Sequence, residues 1–229
     1  MIYKNIRKAI FMTRPNRFIA HILLEGKEEI CHVKNTGRCK ELLTPGAEIY
    51  VQEFDETKRK TKYDLISVYK GRRLVNIDSQ VPNKLFREWA ERNQFFGEDA
   101  TIRPEFTYGQ SRFDFYVESG ARKILIEIKG VTLEEHGVVL FPDAPTQRGV
   151  KHIQELQQAL DKGMEAYLVF IIQMQGVHYM SPNWRTHPAF GHALVQAEQA
   201  GLKIMALDCQ LGEDWIEARE FVEVRLGNF

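Results

Sequence analysis

The character of the chain changes at Val81-Pro82-Asn83. Before it come only short apolar or alternating runs: Lys8 to Met12, Arg17 to Leu24, Glu28 to Lys34, Ala47 to Phe54, Tyr63 to Tyr69 and Leu74 to Ile77. Breaks fall between them at Arg14-Pro15-Asn16, Glu25-Gly26-Lys27, Pro45-Gly46, Lys58 to Lys62 and Lys70-Gly71-Arg72. Strands so closely spaced predict a small barrel. One helical turn over Cys39 to Leu43 suits a five-stranded Greek-key barrel of the OB type.

After the break the periodicity lengthens. Asn83 is a suitable N-cap for a helix whose Leu85, Phe86, Trp89 and Phe96 form an apolar stripe. Strands are expected near residues 102–108, 112–118, 122–129 and 138–141, then a helix over about 147–162. The very apolar run Ala166 to Ile172 follows, then a helix near 190–200 ending at Gly201 and a strand from Lys203 to Leu207. This order predicts an α/β unit with a mixed sheet covered by helices on both faces. Residues 1–82 and 83–229 are therefore expected to form two domains. Met174, His178, Trp184 and His187 fall in an expected loop with no assigned chemistry.

Charge divides at the same place. The formal net charge is zero, but up to Lys84 there are 17 Lys+Arg against 10 Asp+Glu. The remainder holds 14 against 21. A basic first part would attract a phosphate backbone, and an acidic second part would contribute to a cation site. No run approaches the roughly 20 apolar residues of a membrane span, and no signal-like stretch follows Met1. Cys31, Cys39 and Cys209 lack metal-ligand spacing, so reduced thiols and a cytoplasmic location are expected.

The residues with most chemical content are Asp114, Glu127 and Lys129. Asp114 lies in the alternating run Ser111 to Val117, and Glu127 and Lys129 lie in the apolar run Lys123 to Lys129. A turn at Ser119-Gly120 predicts a hairpin. Residues two apart on a strand share a face, so Glu127 and Lys129 project together. With Asp114 on that face, hard carboxylate oxygens would hold Mg²⁺ or Mn²⁺ while Lys129 orients a nucleophile. Glu105 offers a further carboxylate. An E-x-K on a strand is by itself more often a solvated face, but charges within Ile-Leu-Ile-Ile are candidates for burial, where an unpaired charge is costly. The arrangement resembles the PD-(D/E)xK nuclease superfamily, although no Pro precedes Asp114; Pro142-Asp143 is read as a loop.

Further candidates would contact phosphate. Thr146 is a plausible N-cap for a helix opening with Gln147, Arg148 and Lys151, where the helix terminus favours anions. Gln147, Lys151 and Gln154 share a face that either meets a phosphate or is solvated while Val150, Ile153 and Leu156 pack inward. Lys34, Arg38 and Lys40 flank the turn at Asn35-Thr36-Gly37 and are set to bind phosphate oxygens, unless that turn serves backbone geometry alone. Lys58, Arg59, Lys60 and Lys62 form an expected hairpin tip that would either grip a backbone or simply be solvated.

Five blocks in order carry a family resemblance: HVKNTGR (32–38), VNIDSQVPN (75–83), YGQSRFDF (108–115), IEIKGVTL (126–133) and FPDAPTQRGVKHIQEL (141–156). Together they resemble the bacterial sugar fermentation stimulation protein A (SfsA) family over nearly the whole chain. The stretch 184–190 departs from it, lacking an acidic residue near His187. The resemblance implies an N-terminal OB-like domain and a C-terminal PD-(D/E)xK nuclease-like domain. It also implies DNA binding without strong sequence preference and a role in regulating sugar, particularly maltose, metabolism. It makes Asp114, Glu127 and Lys129 the nuclease-like triad, Glu105 a fourth member, and Gln147 and Lys151 helix partners. Three readings follow: a DNA-binding protein with RNA also open as a partner, a working Mg²⁺- or Mn²⁺-dependent nuclease, and a transcriptional regulator. No helix-turn-helix supports the last.

Overall fold

Alternating apolar residues build the first six strands of the computed structural model, which describes residues 1–55 and 59–227. They are β1 (Ile6–Thr13), β2 (Ile19–Leu24), β3 (Lys27–Val33), β4 (Glu48–Glu53), β5 (Tyr63–Lys70) and β6 (Arg73–Asn76). The order β3-β2-β1-β4-β5 closes on itself through a parallel β3–β5 pairing, which gives a five-stranded barrel with β6 extending β5. Closure removes the free edges that an open sheet would expose. Ala9, Phe11, Ile22, Cys31, Val51 and Leu65 fill the interior. The expected turn at Cys39 is present: the Leu42 and Leu43 amides both donate to the Cys39 carbonyl.

The second half begins with α1 (Pro82–Arg92) and continues through β7 (Thr101–Tyr108), β8 (Ser111–Ser119), β9 (Arg122–Val131), β10 (Glu134–Glu135) and β11 (Val138–Phe141). It proceeds to α2 (Gln147–Asp161), β12 (Glu165–Ile172), β13 (Tyr179–Pro182), α3 (Pro188–Gln199), β14 (Lys203–Leu211), β15 (Ile216–Phe221) and β16 (Glu223–Val224). A mixed sheet runs β15-β14-β12-β9-β8-β7, parallel where β9, β12 and β14 adjoin and antiparallel elsewhere. A smaller sheet runs β10-β11-β13-β16.

Alternation along β9 assigns its two faces. Ile124, Ile126 and Ile128 pack with Leu85, Phe86 and Trp89 of α1. Leu125 and Val131 pack with Ile153 and Leu156 of α2. Glu127 and Lys129 fall between the latter two in the alternation and therefore face α2.

Two local expectations are corrected. Asn83 is not the cap of α1: Val81 holds that position without a side-chain bond, because Pro82 begins the helix with no N–H to satisfy. The stretch after Met174 is not all loop, since Tyr179–Pro182 pairs in parallel with β11. A four-residue run ending in Pro carries little periodicity, so its partner, distant in sequence, decides it. Trp184 packs over Gly191, where an added Cβ would lie 2.6 Å from the indole. His187 is buried before α3.

Buried polar groups join the two halves. The Gln173 amide donates to the Asn76 side chain and to the Asp78 carbonyl, both at 2.9 Å. Glu134 of β10 pairs with Lys70 and Arg73 of the β5–β6 hairpin, both at 2.8 Å. Its carboxyl lies at about 2: burial acts to raise it, but these cations and the Gly137 amide outweigh that.

Candidate active site

The β8–β9 hairpin pairs Phe115 with Ile126, so continuing the register sets Asp114 opposite Glu127. The Asp114 carboxylate takes the next amide of the ladder: the Ile128 N–H donates to its Oδ2 at 2.7 Å. Its Oδ1 accepts from the Asn83 side chain of α1 at 2.7 Å. Asp114 is thus locked between its neighbouring strand and a helix terminus.

Glu127 is 3% exposed. Its Oε1 accepts from Lys129 Nζ and lies 2.5 Å from Nδ1 of the equally buried His152 on α2. Its Oε2 is buried and has no hydrogen-bond partner among the described residues. A buried anionic oxygen left so is costly, and a hard cation is a partner that would suit it. Burial raises the Asp114 carboxyl, and the Glu127 charge raises it further, against the Ile128 and Asn83 hydrogen bonds. Burial also acts to raise Glu127, but His152 and Lys129 prevail and hold it below the ordinary carboxylate range. The two carboxyls are therefore pushed in opposite directions, a pattern suited to dividing tasks at one site.

Asp114, Glu127 and Lys129 line one cleft of about 380 Å³, with Asn83, Arg148 and His152 on its walls. Two carboxylates with spare lone pairs are chemically suited to a hard divalent cation. Among the described residues no group of three His, Cys, Asp or Glu side chains forms a ready-made metal cage. A cation would accordingly complete its shell with water or substrate oxygens, as Mg²⁺ commonly does. Glu105 does not join the cleft. It occupies the register position opposite Asp114, but its left-handed backbone (φ 56°) interrupts the pairing. Its exposed side chain lies 3.5 Å from Arg112.

A larger cleft of about 960 Å³ adjoins the first, and Ser79 and Gly130 line both. Arg17, Arg38 and Lys40 line its barrel side, and Asp143 and Thr146 its other side. The three cations are exposed and make no ion pair among the described residues. Arg14 organises this wall by donating to the carbonyls of Arg17, Asn35, Gly37 and Arg38. Asp143, in the loop after β11, accepts from the Arg38 amide at 3.2 Å.

Other expected phosphate contacts are placed differently. Lys34 is largely buried against Asp78, at 2.7 Å, and Asp64, at 3.6 Å, so its charge is engaged within the fold. Arg59 pairs with Asp64 and stacks 3.8 Å above the Phe54 ring, and Lys62 pairs with Glu53. Lys60 is exposed, and Lys58 lies outside the described residues. Thr146 caps α2, accepting from the Gly149 amide at 3.0 Å. Arg148 reaches the smaller cleft, whereas Gln147 is exposed outside it and Lys151 lies 3.7 Å from Glu155. His152 and Asn83 were not singled out as site residues from sequence. His152 follows Arg148 by four positions, a spacing that shares a helix face, but only the packing of α2 on β9 brings it to Glu127.

The family profile described as the sugar fermentation stimulation protein RE domain matches residues 80–215, and the SfsA N-terminal OB domain matches residues 12–77. A sugar fermentation stimulation protein homolog of Desulfitobacterium hafniense is 63% identical over 99% of both chains. One from Ruminiclostridium cellulolyticum is 55% identical over 99% of this chain and 100% of its own. The solved structure of Pyrococcus furiosus SfsA in complex with Ca²⁺ is 29% identical, with a TM-score of 0.88 and 98% coverage of both chains.

Proposed function

The chain belongs to the sugar fermentation stimulation protein (SfsA) family, and on that premise we propose that it binds nucleic acid, most simply DNA, and presents the backbone to a divalent-cation site. The observation that carries this reading is the continuity of the two clefts. A wall bearing Arg17, Arg38 and Lys40 leads past Ser79 and Gly130 to Asp114 and Glu127. Cations that make no ion pair among the described residues would track phosphates without reading bases, so binding would be salt-sensitive and weakly selective for sequence. Asp114 and Glu127 are the residues that would hold Mg²⁺ or Mn²⁺, and the Ca²⁺ complex of the Pyrococcus relative supports a divalent ion in this family. The C-terminal unit is read as nuclease-like on the same carboxylates and Lys129.

A second reading, hydrolysis of the bound phosphodiester, is favoured by Lys129 beside two oppositely perturbed carboxyls. A bound cation would supply Lewis-acid polarisation of the phosphate. Asp114 and Glu127 would fix its place, Lys129 would orient the attacking group, and Arg148 would meet the phosphate from α2.

The test is cleavage and gel shift of labelled single-stranded, duplex and branched DNA with Mg²⁺, Mn²⁺ or EDTA. Wild type is compared with the Asp114→Asn/Glu127→Gln double variant. Metal-dependent products from wild type alone establish a nuclease. Shifted but intact DNA leaves a binding protein, and DNA that neither shifts nor breaks refutes both readings.

A further inference from the structure

Glu127 has two carboxylate oxygens in unlike surroundings: Oε1 faces two nitrogen groups, and Oε2 is buried with none among the described residues. Lys129 alone would not enforce that difference, because its ammonium rides on a flexible four-carbon stem with rotatable donors. The other partner is rigid. His152 is 3% exposed on α2, and its ring packs 5.4 Å from that of Phe113.

The hydrogen bonds around His152 determine which ring nitrogen carries its proton. Arg148, four residues earlier on the same helix, donates through Nε to His152 Nε2 at 3.3 Å. A guanidinium donates only, so Nε2 must accept and Nδ1 must bear the hydrogen. Nδ1–H therefore donates to Glu127 Oε1. Arg148, His152 and Glu127 form a directed chain from the cleft wall to the carboxylate.

We propose that His152 is a positioning residue that pins Glu127 Oε1 so that Oε2 is the oxygen left for a divalent cation. The inference rests on reading this cleft as a cation site. Partners that orient a metal ligand in this way commonly contribute about 10–100-fold to affinity.

The experiment is Mn²⁺ titration calorimetry on the full chain, comparing wild type, Glu127→Gln, His152→Leu and His152→Asn. Melting temperatures are recorded without metal, and long-range ¹H–¹⁵N spectra of the wild-type imidazoles are recorded alongside. His152→Leu keeps the apolar packing but removes the donor, and its Mn²⁺ affinity is expected to fall about 10–100-fold. His152→Asn places an amide N–H near the position of Nδ1–H and is expected to recover most of that loss. This rescue separates positioning from bulk structure, and the spectra should show the Nδ1–H tautomer. Binding abolished in Glu127→Gln but intact in His152→Leu, or an Nε2–H tautomer, overturns this inference alone. Wild type that binds no Mn²⁺, or binds it as Glu127→Gln does, overturns the cation reading and this inference with it.

Discussion

Neutralising Arg38 and Lys40 together should flatten the salt dependence of DNA binding. Arg17, Arg38 and Lys40 are the exposed cations lining the larger cleft that make no ion pair among the described residues. Each phosphate neutralised on duplex DNA contributes about −0.9 to the slope of log affinity against log salt, so the three supply about −2.7. From about 50 to 200 mM salt that slope costs the wild type roughly 40-fold in affinity. Arg38→Gln/Lys40→Gln leaves one contact, a slope of about −0.9 and a loss of only about threefold to fourfold. Fluorescence anisotropy of a labelled duplex over a salt series measures both. Lys62→Gln serves as the contrast: Lys62 is paired with Glu53, so its removal should hardly change the slope. An unchanged slope in the double variant, with a flattened one in Lys62→Gln, would refute the cleft as the phosphate path and restore the hairpin tip.

Glu134→Gln removes the carboxylate shared by Lys70 and Arg73, and the gap between its ordinary 4.5 and about 2 corresponds to about 3 kcal/mol near neutral pH. Because the folded value is depressed, that stabilisation is complete above about 4.5 and disappears as pH falls through about 2, so urea melts should show the variant and wild type converging in acid. Gly130→Ala would set a Cβ 2.7 Å from Pro82 and 2.8 Å from Gln173 Oε1, and is expected to lower stability by about 1–3 kcal/mol in thermal or urea melts. Thr146→Ala removes the α2 cap and should cost about 1 kcal/mol in the same melts.

The sequence is informative wherever local periodicity and turn chemistry dominate. The barrel strands, the Ser119-Gly120 hairpin and the Thr146 cap are each legible because their signals lie within a few residues. Glu127 and Lys129 stand out for the same reason, as charges in an apolar strand whose period of two puts them on one face. Position along the chain also marks Arg38 and Lys40 as candidate cations, yet it gives Lys34, Arg59 and Lys62 similar standing.

Only the tertiary structure separates those groups. Burial against Asp64 and Asp78 engages Lys34, and ion pairs engage Arg59 and Lys62, whereas Arg38 and Lys40 remain on the cleft wall. Packing of α2 on β9 brings His152 to Glu127, and the start of α1 brings Asn83 to Asp114. Backbone conformation at Glu105 keeps a carboxylate out of the cleft although its strand position lies opposite Asp114. Residue types and their faces are properties of a short stretch of chain. Which charges meet, and which oxygen is left without a partner, depends on surfaces brought together from distant parts of it.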